Sequence, residues 1–139
     1  MLPIVISLIA TVILLVWMGF FMMGSLPLLI LKHDTPLDSR FIRGLFNVYY
    51  LAVILTASAA ALSYAWSGRL GFALGMGFIA ALAFALRRWV IIPRMDLLRS
   101  TIPAADASIF QFRKLHIAGM VLNVAQLGTV AWSLTRLGL

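Results

Sequence analysis

Four long apolar stretches, parted by short polar breaks, run through the 139 residues. The first covers residues 2–31 without a charged side chain. At 1.5 Å per residue that is more than a hydrocarbon layer of about 30 Å requires, so the span is expected to tilt or to kink near Pro27. A polar turn follows over residues 32–40, where Pro36 is expected to end the first helix and Asp38 or Ser39 to cap the second. The second span covers residues 40–66 and the third residues 70–92. Ser67, Gly68 and Arg69 form a tight turn between them. The fourth covers residues 107–135, after an amphipathic connection at residues 93–106 that carries Arg94, Asp96 and Arg99 among Met95, Leu97 and Leu98. The pattern predicts an all-α membrane four-helix bundle forming a single domain.

The fourth span alone has a polar stripe down its length. His116 and Asn123 are seven residues apart, so they fall about 20° apart around a helix axis and about 10 Å apart along it. Lipid has no hydrogen-bond partners for such groups, so the stripe is expected to face the bundle interior. The second span offers Arg43, Asn47 and Tyr50 at a matching depth, on one helical face. Its middle, residues 56–61, is nearly all small. In the third span Gly71 and Gly75, followed by Gly77 and Ala81, suggest close packing of the second and third helices through small residues.

Composition changes the picture little. Apolar residues make up 63% and charged residues 11%, and the mean hydropathy is +1.07. A soluble domain would be roughly one quarter charged. The apolar run at the N-terminus far exceeds the h-region of a signal peptide and reads as a retained helix. With no Cys, disulfides, thiolate metal sites and cysteine nucleophiles are excluded.

The net charge of +7 fits basic residues meeting anionic headgroups better than nucleic acid. Lys32, Arg40, Arg43, Arg87, Arg88, Arg94, Arg99, Arg113 and Lys114 belong to one side of the membrane, and Arg69 and Arg136 to the other. The positive-inside rule puts the larger group in the cytoplasm and both termini on the non-cytoplasmic side.

The segments MGFFMMGSLPLL, LRRWVIIPR and FRKLHIAGMVLN resemble a family of small four-helix membrane proteins of unknown function. That family has bacterial members and includes the animal transmembrane protein associated with cisplatin resistance. A more distant likeness is to anthrone-oxygenase-like membrane proteins. The resemblance implies weight on Arg88, Pro93, Arg94, His116 and Asn123, and a multi-pass protein of the bacterial inner membrane. The chain departs from the pattern at Arg88 and Trp89, where Asn or a second aromatic is expected, and at Asp96, where the oxygenase-like proteins tend to have Asn.

Candidate chemistry is sparse. All four acidic residues, Asp34, Asp38, Asp96 and Asp106, lie in the connections, which argues against a proton-coupled transporter. Arg43, Asn47, Arg88, Arg113, His116 and Asn123 are the candidate ligand-binding set, able to line a pocket for an amphiphile with an anionic or carbonyl head. The same groups read first as interhelical glue, because bundle interiors need such contacts regardless. His33 and His116 are the two imidazoles and form the candidate pair for a haem iron. Tyr49, Tyr50, Trp66, Trp89 and Trp132 read first as interfacial anchors.

Three classes stay open. The leading expectation is a small membrane protein acting by association, as a subunit or accessory factor, with no cofactor and no metal. The alternatives are a binder or transporter of a quinone, aromatic metabolite or lipid, and a haem-binding oxidoreductase. Expected partners are the lipid bilayer and a second copy or another membrane subunit.

Overall fold

The computed structural model describes residues 1–28, 36–100 and 106–137. Its elements are α1 (Leu2–Leu28), α2 (Pro36–Trp66), α3 (Leu70–Ala85), α4 (Ile91–Arg99) and α5 (Asp106–Thr135). A π-helical turn at Leu86–Val90 joins α3 to α4 without a break. Among the described residues, four stretches are long and apolar enough to cross a membrane: Leu2–Leu28, Asp38–Trp66, Leu70–Arg99 and Ser108–Thr135.

These stretches correspond to the four expected spans, residues 29–31 of the first lying outside the described residues, and two ends differ. Pro36 opens α2, where the first helical position has no N–H bond for a proline to lose; the expected stop of the first helix lies outside the described residues. Asp38 therefore sits in the first turn of α2, where a negative charge suits the helix dipole. The third span runs past residue 92 to Arg99. Here Pro93 lacks an N–H and would crowd the Trp89 carbonyl in a regular helix. The π turn gives it room: the Ile91 N–H reaches back five residues to the Leu86 carbonyl.

Each helix buries a seam in steps of three and four. On α1 it is Ser7, Thr11, Leu14, Met18, Phe21 and Ser25. On α2 it includes Phe46, Tyr49, Val53, Ala57, Ala60 and Tyr64, and on α5 Phe112, His116, Asn123, Gln126 and Val130. Alternating steps of this kind keep one line of side chains facing a partner helix, as in a coiled coil. The outer surface is apolar too, with Ile9, Val16, Phe20, Leu55, Leu62, Leu74, Phe78 and Val121 exposed. The interior holds Ser7, Thr11, Ser63, His116, Asn123 and Gln126. Lipid can cover the first set and satisfies nothing in the second, so the polar groups turn inward.

Helix α2 packs along α1 on one side and α3 on the other, and α5 packs on α1. The circuit is not closed along its fourth edge, since α3 and α5 do not pack closely along their length. Two end contacts hold that edge. At one end α4 packs on α5. At the other, the α2–α3 turn places the Arg69 guanidinium on the Leu137 carbonyl beyond α5. Gly68, at φ 79°, makes that turn possible. The Gly68 N–H bonds the Ala65 carbonyl at 3.1 Å and the Arg69 N–H bonds the Tyr64 carbonyl at 2.9 Å, the paired bonds of a Schellman helix end.

Candidate functional site

The polar interior is built around Asn123, which is 1% exposed. Its Nδ2 donates to the Met18 carbonyl of α1 at 3.2 Å and to the Tyr49 hydroxyl of α2 at 2.9 Å. The Tyr49 hydroxyl in turn donates to Gln126 Oε1 at 3.4 Å. A carbonyl can only accept, so Met18 fixes which end of the Asn123 amide faces inward. The Tyr49 hydroxyl thus accepts the Asn123 N–H and donates its own O–H to Gln126 Oε1. The polarity of the whole chain follows, and the Gln126 Nε2 is left without an acceptor among the described residues.

Aromatic rings wall this network. Phe21 stacks on Tyr49 at 4.1 Å between centroids and 24° between planes. Phe46 meets Phe21 edge-on at 4.9 Å and His116 edge-on at 5.6 Å. Gly119 makes room for Phe46: a Cβ built there would come 2.6 Å from the ring Cζ. A second tie binds α1 to α2. Thr11 donates its hydroxyl to the Ser7 carbonyl at 2.7 Å, so the Tyr64 hydroxyl is the donor in the 2.9 Å bond between the two residues.

The six candidate ligand residues separate into different settings. His116 and Asn123 are buried on one face of α5, as the stripe predicts. Arg43 pairs instead with Asp96 of α4 through two bonds of 3.0 and 3.3 Å, and Arg99 lies 3.7 Å from the same carboxylate. Asn47 accepts from the Arg87 Nε at 3.0 Å. Arg88 is exposed and Arg113 half-buried. Arg94 and Pro93 are both exposed. Of the haem pair, His33 lies outside the described residues, while the His116 side chain is fully enclosed.

Two other expectations are corrected. Tyr49 and Tyr50 are 4% and 2% exposed, so they are interior groups and not anchors at a membrane surface. Gly71, Gly75 and Ala81 are exposed, and a Cβ at Gly71, Gly75 or Gly77 would meet nothing within 4 Å. Of the small residues of α2, Ala57 and Ala60 are fully buried, and Tyr64 of α2 stacks on Phe72 of α3 at 5.4 Å. Tyr49, Arg87 and Gly119 carry interhelical contacts that the residue types alone did not announce. Tyr49 was findable in principle, because it continues the three-and-four spacing through Phe46 and Val53.

Where α3 and α5 stand apart, a lateral cleft of about 560 Å³ opens. Gly71, Gly75 and Ile79 line one wall, and Gln126, Thr129 and Trp132 line the other. Gln126 is 9% exposed, and its side chain links the cleft to the Tyr49–Asn123 network. The hydroxyls of Thr129 and Ser133 donate to carbonyls of their own helix, at 2.8 and 2.6 Å. Arg136 sits at the far end, its guanidinium 4.9 Å from the centre of the Trp132 ring. Compared with protein-family models, with curated proteins and with solved structures, this chain matches none.

Proposed function

We propose that this protein binds a lipophilic molecule, drawn sideways from the bilayer into the cleft between α3 and α5. One observation carries the reading: an apolar opening in the bundle wall has a buried amide, Gln126, on its inner wall. Its volume lies within the roughly 300–1,000 Å³ of small-molecule sites. Its α3 wall extends from Gly71 to Leu82, a rise of about 16 Å. A membrane-crossing partner helix needs about 30 Å, and the Arg69–Leu137 contact and the seat of α4 on α5 bound the opening at its two ends. A compact molecule suits this space better than a helix.

The basic residues at the α4 end support placing that end in the cytoplasm of a bacterial inner membrane, with both termini outside. The cleft then opens in the outer half of the bilayer.

A second reading is action by association, as a subunit or accessory factor. It draws on the interhelical bonds, which use Asn123, Asn47, Arg43 and Thr11 to hold the bundle together. The two readings separate in one experiment. Protein purified in mild detergent is extracted and its lipophilic content identified by mass spectrometry, for the wild type and for Gly75→Phe. The ligand reading expects a defined compound in the wild type that Gly75→Phe lacks. Equal content in both would overturn it, and a stable complex with another chain in its place would favour association.

A further inference from the structure

Resting on that reading, we propose that the ligand bears a hydrogen-bond-accepting oxygen deep in the membrane, as in a lipid-soluble carbonyl compound of quinone or ketone type. The argument is one of accounting for donors. Met18 fixes the Asn123 amide, Asn123 fixes the Tyr49 hydroxyl, and Tyr49 engages the oxygen of Gln126. Asn123 Oδ1 and the Tyr50 hydroxyl are also buried without a partner among the described residues, but neither residue lines the cleft; Gln126 does, and its Nε2 is a donor without an acceptor on a side chain 91% buried. A buried polar group calls for a partner, and donors in a chain of bonds strengthen one another. The hydroxyls of Thr129 and Ser133 are spent on their own helix, so the amide is the polar group placed to meet a ligand at this depth.

Depth separates a carbonyl compound from an ordinary phospholipid. Gln126 lies ten residues from Arg136, about 15 Å along the helix. A phospholipid with its headgroup at Arg136 presents only methylene groups beside Gln126. A flat ring with its carbonyl at the amide satisfies Nε2, lies against the open wall at Gly71 and Gly75, and leaves its apolar tail in the bilayer.

The test uses the full chain in mild detergent and two probes of equal tail length, a decyl-substituted benzoquinone and decylbenzene, followed by calorimetric titration. The wild type should bind the quinone about tenfold more tightly than the hydrocarbon, the value of one good hydrogen bond. Gln126→Leu should bind the two alike. Thr11→Val, which breaks the bond to Tyr64 between α1 and α2 and leaves the Tyr49–Gln126 contact and the cleft lining intact, should retain the preference and so controls for damage to the fold. Absence of a preference in the wild type, or its survival in Gln126→Leu, would overturn the carbonyl proposal. In that event loss of decylbenzene binding in Gly75→Phe keeps the cleft as a site. Unchanged binding of both probes in Gly75→Phe removes the cleft reading itself.

Discussion

The ring of Phe46 on α2 occupies the space that any side chain on Gly119 of α5 would need. Phe46 is fully buried and braced edge-on by Phe21 and His116, so it has no free direction of retreat. Gly119→Ala should therefore destabilise the bundle by about 1–3 kcal/mol, even though Ala is the better helix former by about 1 kcal/mol. Thermal unfolding in detergent measures this. Adding Phe46→Leu should recover part of the loss, and a Gly119→Ala protein as stable as the wild type would mean that the two helices stand further apart.

Asn123 and Tyr49 share one bond, so their substitutions should not add. Hydrogen bonds between membrane helices contribute about 0.6 kcal/mol on average. Asn123→Ala and Tyr49→Phe should each lower stability modestly, and the double variant should lose less than the sum. Unfolding titrations of the four proteins give the coupling directly. Strict additivity would show that the 2.9 Å contact carries no energy.

Gly75→Leu separates the sequence pattern from the fold. Gly71 and Gly75 at four-residue spacing suggest a close helix contact, and a contact of that kind would make Leu disruptive. In the structure the position is open, so Gly75→Leu should alter stability by no more than about 0.5 kcal/mol. A large drop in the thermal midpoint would place this face against another helix.

Topology is tested by reporter fusions at Ser67 and within residues 101–105. The nine basic residues of one side against the two of the other predict opposite location signals, with the Ser67 fusion outside. The same signal at both sites would remove the two-sided arrangement.

The four helices were legible because length and apolarity suffice to mark a span. Which face of each helix turns inward was legible in part. On α5 the polar stripe announced the seam through His116 and Asn123. On α3 both faces are apolar, so hydropathy has no period to report, and the small residues drew attention to the open side. On α2 the partner of Asn123 is Tyr49, while Arg43 and Asn47 bond Asp96 and Arg87. Residue type placed Arg43 and Asn47 at the right depth, but the π turn decides that Asp96 and Arg87 reach them first. Tyr49 was hidden by its chemistry. Tyrosine as a residue type suits a membrane surface, and only the place of Tyr49 near the middle of α2, on the seam through Phe46 and Val53, shows that it points inward.

The π turn at Leu86–Val90 also acts as a phase shifter. Along α3 the buried positions run Met76, Ile79, Ala83 and Leu86, and along α4 they resume at Ile91, Ile92, Met95 and Leu98. The second series trails the rhythm of the first by about one residue, which is what a single extra residue in the turn produces. Deleting one residue between Arg87 and Val90 would remove the surplus residue, leave a helix kinked at Pro93, and carry Asp96 about 100° around the axis relative to α3. Its carboxylate would leave Arg43, and the face of α4 now packed on α2 and α5 would turn outward. The position of one carboxylate at the far end of the rod is thus set by one surplus residue in its middle.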